Sequence, residues 1–181
     1  MAAYLILVLA ALSRLLPHAF HSVGLNVTAV GAGLLFFGAR RPRIEAVVGA
    51  IVMAATDLYL TTAVYHFPFH VRSYIVTWCW YAAAALVGST LLRKVTALRV
   101  IAAVFASATG FFLISNFTVW LGHMYAHSAA GLVACYWQAL PFYRNDLLST
   151  GAFSAMFFGL PALAKRLSPA AQRDKAASAT A

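Results

Sequence analysis

The fold prediction for this chain depends most on the stretch Asn116–Asp146, NFTVWLGHMYAHSAAGLVACYWQALPFYRND. It leaves an apolar run, crosses a loop with glycine and histidine, and continues through a short amphipathic segment to Pro141. Because proline lacks a backbone N–H and clashes with the preceding helical turn, we expect that segment to stop there. Long connections with polar and aromatic side chains often carry binding sites. We therefore expect 121–146 to be a long connection that covers a site held by the other spans.

The composition around this stretch is that of an integral membrane protein. Of 181 residues, 63% are hydrophobic and 9% are charged, and the mean hydropathy is +0.82. Soluble domains carry about 25% charged residues. We predict an all-α membrane domain over 1–167 and a disordered polar tail over 168–181. Six apolar runs are predicted to be transmembrane spans, at 2–16, 27–39, 44–64, 73–92, 98–120 and 147–164, of which the first two are short.

The first apolar run is expected to be a retained helix. It lacks a positively charged start, and Arg14 interrupts it where a signal peptide would have its cleavage site. The second run, 27–39, would reach only about 20 Å as a helix, against about 30 Å of hydrocarbon. We therefore expect 17–26 to dip to membrane depth and line a pocket, since non-helical backbone there must be buried or face a cavity.

The basic residues indicate the orientation. Ten of the thirteen Lys and Arg lie in the connections 40–43 and 93–99 and after residue 164. The positive-inside rule therefore predicts that both termini are cytoplasmic. The net charge of +9 is held in these short segments rather than in a patch with stacking aromatics, so no nucleic acid is expected as a partner. All six histidines then face outward: His18, His21, His66, His70, His123 and His127.

Cys79 lies about two turns inside the outer end of the fourth span, in YIVTWCWYAAAA. Tyr74, Trp78 and Tyr81 follow at i, i+4 and i+7 spacing and form an aromatic stripe on the same helix. An inert apolar cysteine beside an interfacial aromatic belt is one interpretation, and the residues by themselves favour it. A soft thiolate ligand for a metal centre is the other. No disulfide between Cys79 and Cys135 is predicted.

Two histidine pairs have the i, i+4 spacing that can bind a transition metal on a helix, His66 with His70 and His123 with His127. Pro68 breaks any helix between the first pair, and no carboxylate lies nearby. Interfacial loop histidines are the simpler interpretation, and metal binding stays open.

Asp57 is a carboxylate within the third span, where an ionised side chain is costly and marks a functional or structural contact. We expect a packing or gating role for it. Its candidate partners are Arg14, Arg72 and Arg144, and hydrogen bonds from Thr56 and Tyr59 are the alternative.

The chain also resembles a known family. SRLLPH at 13–18, Asp57 in the third span, and SNFTVWL with YAHSAAGLVACYWQALPFYRNDLL across 115–148 carry the resemblance. They resemble a family of small membrane transport proteins that are similar to the S-components of energy-coupling-factor transporters. Cys79 in its aromatic context adds a resemblance to the solitary vitamin B12 transporters of the BtuM type. The resemblance covers nearly the whole chain. It implies a six-helix S-component fold in the bacterial cytoplasmic membrane, with cobalamin bound on the outer side.

The resemblance further implies that Cys79 ligates the corrin cobalt as a thiolate and promotes decyanation of cyanocobalamin, which leaves open whether the transporter is also an enzyme. The side chains expected to contact the ligand with it are Tyr74, Trp78, Tyr81, Asn116, Trp120, Tyr136, Phe142 and Arg144.

Two absences bear on energy supply. The Ala-x-x-x-Ala pattern by which S-components dock onto an energising module is missing from the first span, so no such module is expected as a partner. The chain has no nucleotide-binding motif. The alternative is a transporter of another vitamin, or of Ni or Co ions held by the outward histidines.

Overall fold

The computed structural model describes residues 1–15 and 27–167, and these residues are helical with no strand. The all-α prediction is therefore confirmed for this part of the chain. The predicted tail 168–181 and the predicted pocket wall 17–26 lie outside the described residues. The helices are α1 Ala2–Leu12, α2 Val30–Arg40, α3 Ala46–Tyr59, α4 Ile75–Leu91, α5 Ala97–Trp120, α6 Ala129–Ser154 and α7 Leu160–Leu167.

Short turns extend several of these helices. The 3-10 turn Ser13–Leu15 follows α1, and the π-helical turn Leu60–Val64 follows α3. A second π-helical turn, Ala155–Gly159, joins α6 to α7 without a break. Three of the resulting helices are long and apolar enough to cross a membrane: Arg43–Val64, Ala97–Trp120 and Ala129–Ala164. The other apolar helices are shorter: Ala2–Leu15, Val30–Arg40 and Ile75–Leu91.

The prediction that a helix stops at Pro141 is wrong. Helix α6 begins at Ala129, runs through Pro141 and continues to the end of α7. The connection between α5 and α6 is therefore only 121–128 rather than 121–146. Its end is set by Ser128, whose hydroxyl accepts a hydrogen bond from the N–H of Gly131 at 3.1 Å. Proline removes one backbone bond, whereas ending the helix in an apolar setting would leave several groups unpaired.

Helix α2 is the centre of the bundle. All of its residues from Ala32 to Gly38 are buried, as expected for a helix that is apolar on every side. It meets α4 by direct backbone contact: a Cβ at Gly38 would lie 1.8 Å from the carbonyl oxygen of Ala85, and one at Gly88 would lie 2.2 Å from that of Leu35. Small residues let the two backbones approach closely. In a membrane this gives van der Waals contact between helices, which have no hydrophobic driving force to associate.

The helices have two distinct ends. One end holds the basic connections 40–43 and 93–99, and we call it the basic end. There the hydroxyl of Tyr4 in α1 donates a hydrogen bond to Glu45, before α3, at 2.6 Å. Arg41 donates hydrogen bonds to Glu45 and to the hydroxyl of Tyr4. At the opposite end, Arg14 beyond α1 contacts Asp57 near the end of α3. We call that end the histidine end, because the connections 65–74 and 121–128 lie there.

Candidate functional site

A buried ion pair occupies the interior near the histidine end. Asp57 is 3% exposed. One of its carboxylate oxygens accepts a hydrogen bond from Nη2 of Arg14, and the other accepts one from Nε1 of Trp78 at 2.9 Å. Arg14 also donates through Nη1 to Thr56 Oγ1 at 2.7 Å and to the Met53 carbonyl at 3.2 Å. The charge of Asp57 is thus compensated at both oxygens, as a carboxylate in a low-dielectric interior requires.

Arg14 also separates two cavities. Cavity A has a volume of about 140 Å³ and cavity B one of about 380 Å³. Both are lined by Arg14 and Thr28. Cavity A is otherwise lined by Val30, Gly31, Leu34, Trp80, Tyr81, Ala84, Ser107, Phe111 and Asp146. Cavity B is otherwise lined by Asp57, Leu60, Thr61, Tyr65, Phe67, Pro68, His70, Ser73 and Tyr74.

A third cavity adjoins cavity A. Cavity C, of about 200 Å³, shares Phe111 and Asp146 with cavity A. Its other lining residues are Phe112, Ser115, Asn116, Ala139, Phe142 and Tyr143. The three cavities therefore follow one another through the bundle, with Arg14 at one junction and Asp146 at the other. Ser107 is not among the residues that the sequence singles out. Asp146, like Arg144, is expected from the sequence either to position a polar ligand group or to anchor the last span at the interface.

Four of the expected ligand contacts line these cavities. Tyr74 lines cavity B, where its hydroxyl is hydrogen-bonded to that of Thr61 at 2.7 Å. Tyr81 lines cavity A, and Asn116 and Phe142 line cavity C. The structure thus distributes these side chains over three adjoining cavities rather than around one.

Trp78 does not line these cavities, but its indole N–H donates a hydrogen bond to Asp57. Its ring and that of Tyr74 stack with Phe69, at centroid distances of 6.2 and 4.9 Å. The aromatic stripe therefore faces the ion pair.

The other expected contacts lie elsewhere. The indole N–H of Trp120 donates to the Ala126 carbonyl at 3.1 Å and so closes the connection between α5 and α6. The hydroxyl of Tyr136 donates to the Leu113 carbonyl at 2.6 Å. Arg144 is exposed. None of these three side chains lines cavities A to C.

Cys79 is exposed, and Cys135 is buried. Both are free thiols. Cys79 lies on a face of α4 with the exposed Ile75 and Leu86, away from the buried face of Tyr81. The thiol of Cys135 donates to the Asn116 carbonyl at 3.4 Å. Cys79 is thus accessible from outside the bundle and lies outside cavities A to C.

The histidines do not converge in the part of the chain described. Within 1–15 and 27–167, no three His, Cys, Asp or Glu side chains are grouped so that they could hold a metal ion. His70 lines cavity B, while a ring nitrogen of His127 is 2.9 Å from the Gly122 carbonyl oxygen. His18 and His21 lie outside the described residues.

Fold and site together define an all-helical protein in which three helices are long and apolar enough to cross a membrane, and in which a buried ion pair lies beside adjoining cavities. The chain belongs to the Family of unknown function (DUF6580), whose family model matches residues 1–171. No curated protein and no solved structure matches the chain.

Proposed function

We propose that this protein is a six-span transporter of the bacterial cytoplasmic membrane that binds cobalamin at the histidine end, with both termini in the cytoplasm. The observation that carries the proposal is the exposed thiol of Cys79, on a helix whose neighbouring face is aromatic and borders a polar interior. Polar and charged groups at membrane depth commonly mark a solute pathway.

The outer surface of the bundle supports the membrane location. Large apolar side chains that are more than half exposed lie on α1, α3 and α5, among them Leu5, Ile51 and Ile101. Such a surface suits lipid rather than water. The 36 residues of Ala129–Ala164 span about 54 Å, more than the hydrocarbon thickness, so we expect the start of α6 to extend into the outer aqueous layer.

The orientation follows from the charges and can be tested with single cysteines. In a chain with both native cysteines replaced by alanine, Lys94→Cys should react with a membrane-impermeant maleimide only from the cytoplasmic side. Met124→Cys, at a side chain that is 76% exposed, should react only from the outer side. The measurement is labelling of intact cells against inverted membrane vesicles. Labelling of both positions from the same side would contradict the six-span arrangement.

The proposed cobalt ligand is the Cys79 thiolate. A soft sulfur donor suits cobalt, and the thiolate is the form of cysteine that ligates a metal. Cavities of 140 to 380 Å³ are small for a corrin, so the ring is placed against the exposed face of α4. In this arrangement, we expect the residues that line the cavities to contact polar groups at the edge of the ligand.

With cyanocobalamin the step is a ligand exchange. The thiolate sulfur donates an electron pair to cobalt, the cobalt–carbon bond breaks, and cyanide leaves with its electron pair and takes up a proton. No change of oxidation state is required.

Purified protein mixed with cyanocobalamin should therefore retain the ligand and show a changed visible spectrum. Cys79→Ala should abolish the spectral change, because it removes the sulfur donor. Cys135→Ala is the matched control: its buried thiol contacts a backbone carbonyl, so the spectral change should persist.

The comparison has two outcomes that would contradict the proposal. Retained ligand with an identical spectrum in wild type and Cys79→Ala would remove Cys79 from the cobalt. Failure of the wild type to retain cobalamin would remove cobalamin as the ligand.

A further inference from the structure

Among the described residues, one carboxylate that lines the cavities has no cation paired with it. Arg14 is paired with Asp57, and Glu45 is paired with Arg41 at the basic end. Asp146 forms no ion pair with any residue in 1–15 or 27–167. A carboxylate in a membrane-spanning helix that lacks a compensating cation is costly when ionised. The site therefore favours binding of one positive charge.

Asp146 stands at the junction of cavities A and C. Among the described residues, the only side chain that donates a hydrogen bond to its carboxylate is Thr150, whose hydroxyl lies at the long distance of 3.4 Å. Ser107, which is 4% exposed, also lines cavity A. A buried hydroxyl and a carboxylate around the same space indicate a site that holds water or exchanges a proton.

Within 1–15 and 27–167, the groups that face Asp146 leave its charge uncompensated. Across cavity A, Arg14 projects from beyond α1, with its charge already matched by Asp57, and α4 presents Tyr81. Helix α5 contributes only neutral side chains to cavities A and C, as does α2 to cavity A. On its own helix, Tyr143 is hydrogen-bonded to Thr109 at 2.9 Å. No other charged side chain in the described ranges lines cavity A or C.

A proton suits this site better than a metal ion. Metal cations of the alkaline-earth type take six or more oxygen ligands, and helical backbone offers none, because its carbonyls are used within the helices. The side-chain oxygens that line cavity A belong to Asp146, Ser107, Thr28 and Tyr81. A proton needs only one carboxylate oxygen.

We propose that Asp146 is the proton-binding site that couples transport to the pH gradient across the membrane, an inference that rests on the proposed transport function. Asp146 takes a proton from water at the histidine end, and the neutral acid tolerates closure of the cavities. Opening toward the basic end rehydrates the site, and the same proton is released to water there. Ionised Asp146 favours the hydrated form and protonated Asp146 the closed form, so each state of protonation selects one conformation.

The first test needs no cobalamin. Infrared spectra of the purified protein are recorded in mildly acidic and mildly alkaline buffer, for wild type, Asp146→Asn and Glu45→Gln. We expect a protonated-carboxyl band that appears on acidification in wild type and in Glu45→Gln, and that is missing in Asp146→Asn. The Glu45 variant also loses a carboxylate, but one at the basic end. A wild-type difference spectrum identical to that of Asp146→Asn would overturn the proton site.

The second test measures coupling in vesicles with cobalamin outside and an alkaline interior. If one proton moves with each cobalamin, steady-state accumulation should rise about tenfold for each pH unit of gradient. Asp146→Asn should lose this dependence, while Glu45→Gln and the conservative Asp146→Glu should keep it. Accumulation in Asp146→Asn that still follows the gradient would overturn the coupling. Absence of any uptake by wild type would contradict the proposed function, and the infrared comparison would still decide the proton site.

Discussion

Asp57→Ala should lower the free energy of unfolding by about 3–5 kcal/mol, the range for breaking a buried ion pair by removing one partner. The guanidinium of Arg14 would lose its charged acceptor while remaining largely buried, since its side chain is 16% exposed. The indole N–H of Trp78 would lose its acceptor as well. The measurement is denaturant unfolding of purified protein in detergent, followed by tryptophan fluorescence.

Two further variants separate the ion pair from a general effect of losing charge. Glu45→Ala breaks the Arg41–Glu45 pair, which is more accessible to solvent, and should shift the unfolding midpoint much less. Arg14→Met combined with Asp57→Leu should recover most of the lost stability, because apolar side chains of similar volume replace buried ion pairs well. Equal losses in Asp57→Ala and Glu45→Ala would contradict the assigned role of the pair.

Gly38→Ala is expected to prevent native packing of α2 on α4, with a cost at or above the upper end of the about 1–3 kcal/mol typical of overpacking. The added Cβ would lie 1.8 Å from the carbonyl oxygen of Ala85. That oxygen belongs to the helical backbone, so the contact cannot be relieved by a change of side-chain rotamer. The fraction of protein that elutes as a folded species in detergent, and its thermal unfolding midpoint, measure the effect.

Gly151→Ala provides the control for the glycine substitution. A Cβ at Gly151 would meet only a side-chain carbon of Val104, at 4.0 Å. The same change there should be neutral or stabilising by up to about 1 kcal/mol, because alanine has the higher helix propensity. If Gly38→Ala unfolded at the same temperature as Gly151→Ala, the direct backbone contact between α2 and α4 would be wrong.

Much of the candidate site could be anticipated from single residues. A carboxylate within an apolar run must find a cation or donors, so the importance of Asp57 was predictable. Its partner was not: Arg14, Arg72 and Arg144 were all eligible, and only the packing of α1 beside α3 brings Arg14 to it. Cavity A was missed because Thr28, Ser107 and Asp146 come from distant parts of the chain and meet only in the bundle.

The sequence by itself determined that the described chain is helical and apolar, because runs without charges can satisfy their backbone groups only within helices when no water is present. It also determined which connections are basic. The tertiary structure decided that α6 passes through Pro141, because a single lost hydrogen bond costs less than a broken helix among apolar neighbours. It also decided that Cys79 faces outward while Trp78 faces Asp57. Adjacent residues on a helix differ by about 100° in direction, and only the packing of neighbouring helices selects the face that is buried.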